Sequence, residues 1–553
     1  MLRTIGMVTL VTVGLASVAV CDEGSSAVRP NVVLIMADDL GFSDLGCYGG
    51  EINTPHLDRL ANEGLRFTQF YNCAVCVTTR AALMTGLHPR RRERGRWLDS
   101  DMTTLAEVLR TAGYRTSLTG KWHLGDEAPN RPTDRGFEEY YGLVSGCCNY
   151  FNPAQPDPVF YNGGHVRPFL HNERPVTEFP DGYYTTDAFT DHAVSQIRKF
   201  AAERDPFFVH VCYTAPHFPL HALPEDIVRY RGQYDAGYFH MREQRYQRLI
   251  ELGLIDPQWS LSPADVSQSD FRYDYDITPW EEVTDRVRET RRMEVYAAMV
   301  DRLDQGIGRI LDAIDETGQS DETLVFFLSD NGGCATYPGY RDDKKRQARE
   351  AYNTELPGGP ETYDFVAPGW GWAQNAPFRR FKVWTYEGGI STPMIARWPG
   401  VIEPASITHQ VGHLVDFMPT LVELCGAKYP QAQAGISILP CEGNSLVPVL
   451  RGETREEPEA FYWYLYGNRA IRQGRWKLVW GAHAGEWELY DMQTDRPETK
   501  NMADQFPERV KAMEAKWLDW ANRTNVPLND TEWDPVVPQR TSCLGMNGTR
   551  QHR

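Results

Sequence analysis

Four strand-length segments punctuate the chain, and each runs into a polar cluster. Asn31 to Ala37 (NVVLIMA) leads into Asp38-Asp39, and Arg115 to Thr119 (RTSLT) into Gly120-Lys121-Trp122-His123. Pro206 to Tyr213 (PFFVHVCY) leads into Thr214-Ala215-Pro216-His217, and Thr323 to Ser329 (TLVFFLS) into Asp330-Asn331-Gly332-Gly333. The apolar runs are unbroken rather than alternating, which predicts strands buried on both faces of a parallel sheet. Helical patterns lie between them. Thr54 to Leu60 has a cap, a first-turn proline and a stop at Gly64. Thr104 to Arg110 precedes Gly113, a short helix Thr79 to Met84 follows Cys76, and from Met293 to Ile314 apolar residues recur on one helical face. Strand and helix alternate, so the pattern predicts an α/β sandwich with a mostly parallel central sheet. Ligands bind beyond the carboxyl ends of such strands, so the four polar clusters are expected on one edge.

The pattern changes near residue 455. Phe461 to Tyr466, Arg469 to Gln473, Trp476 to Trp480 and Trp487 to Tyr490 read as short strands, followed by a helix from Pro507 to Ala521 with Val510, Met513, Trp517 and Trp520 on one face. These predict a small C-terminal antiparallel sheet with a helix. The expected organisation is a signal peptide over 1–21, a catalytic α/β domain over 30–455, an α+β subdomain over 456–530 and a loose tail over 531–553.

The first 21 residues combine a basic start, an apolar core and a small-residue cleavage pattern, the marks of an export signal. No second apolar stretch is long enough to span a membrane. The protein is therefore expected to be exported, periplasmic or secreted, with a lipid anchor on Cys21 as the variant that Val20, a poor residue before the cut, disfavours. Eleven cysteines form no regular framework; Cys425 and Cys441 flank a loop and are placed to pair. A net charge of -18 argues against nucleic acid and against an anionic membrane surface. An anionic substrate then needs a locally basic pocket.

Asp38, Asp39, Asp330 and Asn331 end two buried strands and supply hard oxygen without histidine or thiolate, which favours calcium or magnesium over zinc. His217 and His221 are four apart, but Pro216 and Pro219 break any helix that would align them as a zinc face. Cys73 and Cys76 have the C-x-x-C spacing of a redox pair, yet Arg80 follows Cys76 by one helical turn, and an arginine at a helix N-terminus suits a phosphoryl or sulfuryl group. Basic Pro89 to Arg94 reads as a solvated surface before a polyanion groove. The sequons at Asn522, Asn529 and Asn547 matter only in a host that glycosylates.

The segment C-V-T-T-R-A-A-L-M-T-G from Cys76 resembles the signature of the type I, formylglycine-dependent sulfatases, in its arylsulfatase-like bacterial branch. MADDLG, GKWHLG, TAPH, SDNGG and the stretch from Lys382 to Gly389 are similar to the same family, in order, over nearly all of the chain from Asn31 to Trp520. The resemblance implies an alkaline-phosphatase-like fold, one calcium ion, and oxidation of Cys76 to formylglycine (3-oxoalanine) by a maturation enzyme. Position by position, it implies calcium on Asp38, Asp39, Asp330, Asn331 and modified Cys76. It implies Arg80 and Lys121 orienting the aldehyde hydrate and neutralising sulfate, His217 and Lys382 at the leaving oxygen, and His123 as base for sulfate release. The substrate would be a sulfated small molecule or glycan, an aryl or carbohydrate sulfate. Two positions depart from the pattern: Thr78 stands where the motif has proline, and Tyr386 where histidine often precedes Glu387, a change expected to alter substrate contacts. Two other readings remain: a phosphonate or phosphodiester hydrolase of the same superfamily, against which Asn331 counts, and an inactive sulfated-glycan-binding lipoprotein. The loops Cys147 to Tyr161 and Arg341 to Trp372 carry Tyr150, Phe151, Phe160, Tyr161, Tyr363, Phe365, Trp370 and Trp372, expected as walls around the alcohol.

Overall fold

The computed structural model describes residues 29–89, 97–159, 164–264, 273, 275–339 and 342–526. The signal peptide, Cys21, Arg90 to Arg94, Phe160, Tyr161, Asn529, Asn547 and the tail lie outside the described residues. Among the described residues no helix is long and apolar enough to cross a membrane.

The four segments form adjacent parallel strands, which we label β1 (Asn31–Ala37), β2 (Arg115–Gly120), β3 (Phe207–Cys212) and β4 (Thr323–Ser329), in the spatial order β4-β1-β3-β2. They are the middle of a ten-stranded sheet. Met394–Arg397, Leu65–Phe67 and Ser406–Thr408 extend it beyond β4, and Glu139–Leu143, Phe169–His171 and Arg174–Pro175 beyond β2. Antiparallel pairing is confined to these flanks. Every residue of β1 and β4 is buried, as the unbroken apolar runs require of strands covered on both faces.

Two groups of helices supply that cover. In one, α2 (Thr185–Glu203) packs on α3 (Arg286–Glu316), which also meets Pro55–Asn62. In the other, α1 (Cys76–Thr85) packs with Leu105–Thr111 and Phe417–Leu424. Thr104 closes a capping box with Glu107 and so fixes the start of the Leu105–Thr111 helix. Helix α1 begins at Cys76 itself, three residues earlier than the sequence pattern predicts. All ten of its residues are buried, so no polar face marks where it starts.

Register decides the functional edge. Ala37 lies opposite Ser329, Met36 opposite Cys212, and Gly120 opposite Cys212, so the four carboxyl ends are level. Gly120 has φ 104, and a Cβ there would lie 1.9 Å from the Cys212 carbonyl oxygen. Only glycine lets β2 turn so closely over β3.

At the C-terminus, Phe461–Leu465, Asn468–Gln473, Trp476–Trp480 and Trp487–Asp491 form a four-stranded antiparallel sheet. One face packs Tyr464, Ile471, Leu478 and Leu489 against Met513, Trp517 and Trp520 of α4 (Pro507–Arg523). The other face, with Phe461, Trp463, Ala470 and Val479, is continuous with the main core.

Two expectations need correction. The nine described cysteines are all free thiols, so Cys425 and Cys441 do not pair; Cys441 Sγ instead donates to the Gly86 carbonyl at 3.5 Å. The aromatics expected as substrate walls are largely core: Tyr150, Phe365 and Trp370 are buried at 1% exposure or less. Trp370 packs on Tyr234, Tyr238 and Trp280, and Tyr150 donates to the carbonyls of Thr214 and His217. Aromatics in a long loop fill the space between that loop and the sheet whenever the loop is folded back on it.

Candidate active site

The level strand ends bring together side chains scattered over 345 residues of sequence, from Asp38 to Lys382. Asp38 and Asp39 leave β1, Lys121 and His123 leave β2, His217 follows β3, and Asp330 and Asn331 leave β4. Backbone bonds lock these ends together: Asp330 N donates to the Ala37 carbonyl at 3.1 Å, Lys121 N to that of Cys212 at 2.8 Å, and Asp38 N to that of Ala215 at 3.0 Å. Lys382 arrives on a loop whose N–H donates to the Gly333 carbonyl at 3.1 Å. Cys76 and Arg80 come from the first turns of α1. All the residues singled out from the sequence as site residues meet at this edge.

The charges interlock. Lys121 Nζ donates to Asp38 Oδ2 at 2.5 Å, and Lys382 Nζ to Asp39 Oδ1 at 2.5 Å. Arg80 donates to Asp330 Oδ2 at 2.9 Å and to the Lys121 carbonyl at 2.7 Å, and Asn331 Nδ2 donates to Asp39 Oδ1 at 2.7 Å. His217 Nε2 faces Asp39 Oδ2 at 3.4 Å, and its Nδ1–H donates to the Phe218 carbonyl at 2.7 Å. Cys76 Sγ lies 3.3 Å from His123 Nδ1. Asp38, Lys121, Asp330 and Asn331 are fully buried.

Burial drives most of the proton affinities. It pushes Asp330 up to about 7, reinforced by Asp38 and opposed by Arg80 and Lys121. Burial also acts most strongly on Asp39, but His217, Lys382 and Asn331 outweigh it and hold that carboxyl well below its usual range. It lowers His217 to about 3 against the pull of Asp39. Burial raises both Cys76 and Cys73, so neither thiol is activated as a redox thiolate. The two sulfurs also part company, Cys76 toward His123 and Cys73 toward His413 Nε2 at 3.8 Å.

Three buried oxygens here have no hydrogen-bond partner: Asp38 Oδ1, Asp39 Oδ2 and Asn331 Oδ1. Buried orphan acceptors are costly, and three that come from the strand-end carboxylates and amide fit a hard cation. Cys76 Sγ groups within 4.8 Å of carboxylate oxygens of Asp38 and Asp330. Backbone strain gathers at the same place: Asp39, Ala74, His123, Arg380 and Val383 all have φ between 62 and 83. Each such non-glycine residue costs about 1–3 kcal/mol, and strain of this kind concentrates where a side chain must be aimed.

Some residues were missed or misread from the sequence. Tyr386 is fully buried and its hydroxyl donates to Glu488 at 2.9 Å, a partner the sequence did not announce. Glu387, which lies in the Lys382–Gly389 stretch, joins Lys477, Arg496 and Glu498, which no motif announced, in an interior charge cluster behind the Lys382 loop. The one legible sign was a lysine inside the strand W-K-L-V-W, where Lys477 takes a buried slot.

Buried Arg80, Lys121 and Lys382 interleaved with buried carboxylates, at the carboxyl edge of a parallel sheet, form a site equipped to hold a tetrahedral anion and cleave its ester. The sulfatase family model matches residues 30–427, and a model of the C-terminal part of N-sulphoglucosamine sulphohydrolase matches residues 378–519. The chain belongs to the sulfatase family and is a sulfuric ester hydrolase. It is 32% identical to an uncharacterised sulfatase of Schizosaccharomyces pombe, over 90% of this chain and 94% of that protein. It is also 32% identical to the arylsulfatase of Klebsiella aerogenes, over 76% of this chain and 91% of that one. Among solved structures, Ps i-CgsB matches with a TM-score of 0.64 at 26% identity, covering 91% of this chain and 95% of that one. The same protein has been crystallised with k-i-k-neocarrahexaose. The phosphonate monoester hydrolase of Silicibacter pomeroyi shares the fold at 20% identity and a TM-score of 0.54. The architecture is that of the alkaline-phosphatase-like sulfatases.

Proposed function

We propose that the chain hydrolyses sulfate monoesters of aryl alcohols or carbohydrates to the alcohol and inorganic sulfate. Cys76 is converted to formylglycine by a maturation enzyme, and Asp38, Asp39, Asp330, Asn331 and residue 76 hold calcium. The observation that carries this reading is the set of partnerless oxygens on Asp38, Asp39 and Asn331, next to Cys76 and ringed by Arg80, Lys121 and Lys382. Calcium bound there lowers the pKa of an oxygen ligand and stabilises negative charge. Formylglycine at position 76 would supply an oxygen nucleophile that is regenerated without a second attack at sulfur, and Arg80, Lys121 and His123 are the side chains that would orient it.

The chain's own groups do the rest. Arg80 and Lys121 are buried cations, and they neutralise the sulfate that a protein of net charge -18 otherwise repels. His217 donates its Nδ1–H to a backbone carbonyl, so its Nε2 lone pair faces Asp39. Nε2 is thus the His217 atom that would carry a proton to the leaving oxygen. Lys382 lies on the same carboxylate and supports that oxygen with fixed charge. His123 Nδ1, beside Cys76 Sγ, is the base for sulfate release.

The natural alcohol is expected to be a sulfated glycan met outside the cytoplasm, the class bound by Ps i-CgsB being a relevant one to screen. The test is peptide mass spectrometry across Cys76 in natively purified protein, paired with turnover of nitrophenyl sulfate, sugar sulfates and phosphodiesters. Formylglycine and sulfate-ester turnover are the expected results. An unmodified thiol in fully active enzyme overturns the mechanism. Phosphodiester turnover above that of every sulfate ester replaces the reading with a phosphonate or phosphodiester hydrolase.

A further inference from the structure

The loops that carry Cys76 and Lys382 touch each other through strained backbone. Val383 N donates to the Ala74 carbonyl at 2.8 Å, and both residues have positive φ, 83 and 64. Val383 is β-branched, for which such a φ is a genuine outlier that surrounding contacts must enforce. Three of those contacts come from the C-terminal sheet. Trp463 Nε1 donates to the Asn72 carbonyl at 2.7 Å, at the root of the Cys76 loop. Asn468 Nδ2 donates to the Val383 carbonyl at 3.4 Å, and Thr385 Oγ1 to that of Arg469 at 3.2 Å.

Behind them sits a buried clamp. Glu387 accepts from Lys477 at 2.8 Å, from Arg496 at 2.8 Å and from the Tyr71 hydroxyl at 2.9 Å. Its backbone N–H donates to Glu498 at 2.7 Å, and Lys477 also bonds Glu498 at 2.7 Å. Glu387, Lys477 and Arg496 are fully buried. A single carboxylate thus ties the end of the Lys382 loop, the strand entering the Cys76 loop through Tyr71, and two C-terminal cations, Lys477 on a strand of the sheet and Arg496 in the segment after it.

We propose that the C-terminal sheet is a positioning device for the active site, holding the strained Ala74–Cys76 and Lys382–Thr385 loops in register through Trp463, Asn468 and the Glu387 clamp. This deepens the sulfatase reading and rests on it for its kinetic consequence. The alternative is a sheet that adds stability alone. Small displacements of catalytic groups cost rate steeply, roughly a hundredfold for 1 Å, whereas a stability element lowers only the folded fraction.

The full-length, natively matured chain tests this with Trp463→Phe, which removes one N–H and keeps an aromatic ring in place. Asn468→Ala, which frees the Val383 carbonyl, is the second variant. Trp487→Phe is the control, because its indole N–H serves Glu514 of α4 at 2.9 Å, away from both loops. In the two test variants amide exchange at Ala74–Cys76 and Lys382–Thr385 is expected to rise by more than the loss of global stability accounts for, while Trp487→Phe leaves it alone. Turnover of an alkyl sulfate falls by roughly tenfold or more at unchanged KM and unchanged formylglycine content, and nitrophenyl sulfate loses less, because Lys382 matters most for a poor leaving group. Unchanged exchange in both loops overturns the proposal, as does an activity loss equal on both substrates and proportional to folded protein. Exchange that rises in a wild-type background lacking sulfate-ester turnover sustains the coupling and overturns the sulfatase reading instead.

Discussion

At Cys76 the sulfur lies 3.3 Å from His123, while Cys73 turns into the core toward His413. Cys76→Ala is therefore expected to abolish turnover, and Cys73→Ala to keep most of it at a cost of about 1 kcal/mol for a small buried thiol; steady-state rates and a denaturant melt check both. Thr78 occupies the first turn of α1, where proline is tolerated because the N–H has no intrahelical partner. Its hydroxyl donates to the Cys73 carbonyl at 2.8 Å. Thr78→Pro should then change stability by no more than about 1 kcal/mol while raising the formylglycine fraction at residue 76, read by peptide mass spectrometry; an unaltered fraction would show that Thr78 does not limit maturation. His217→Ala is expected to slow an alkyl or sugar sulfate far more than nitrophenyl sulfate, since proton donation is worth roughly 10²–10⁴-fold only where the leaving group needs it. Equal losses would remove His217 from that role.

Among elements, β3 and the segment after it carry two buried histidines that are not among the residues proposed to hold calcium. Burial lowers His210, on β3, to about 4 against its bond to the Leu34 carbonyl, and lowers His221 to about 4 against its bond to that of Thr362. Both folded values lie below the ordinary 6.5. Between pH 6.5 and 4 the unfolded chain binds these protons and the folded chain does not, so stability rises with pH through that window and is lost on acidification. Urea melts from pH 7 to 4.5 should show the midpoint falling, and His210→Gln should flatten part of the slope. The strand ends themselves explain why chemistry collects here: β1, β2, β3 and β4 stop level, so each places its next residues over one edge.

For the whole molecule, one buried basin of opposed charge links distant parts of the chain, with Asp38, Asp39 and Asp330 at its centre. A cation bound only by the folded state stabilises it by mass action, about 2.7 kcal/mol at a hundredfold excess over Kd. Chelation should lower the melting temperature and abolish turnover together, with both restored by calcium; elemental analysis finding stoichiometric zinc in active protein would refute the assignment. Asp39→Ala should mimic the chelated state, because Asp39 is bonded at once by Lys382 and Asn331 and faces His217.

The sequence by itself determined the central strands, because doubly buried strands need unbroken apolar runs, and β1 and β4 begin and end where those runs do. It also singled out the residues that the structure brings to one edge, because carboxylates, lysines and histidines at the ends of such strands have few bland reasons to be there. Tertiary structure alone decided the rest. It put Tyr150 and Trp370 into the core, turned Tyr386 toward Glu488, and left Cys425 and Cys441 unbonded. Above all it assembled Glu387, Lys477, Arg496 and Glu498 behind the Lys382 loop. Those residues are spread over 112 positions, and no local period or propensity encodes which buried charges will meet; only the packing of the C-terminal sheet on the main core brings each one its partner.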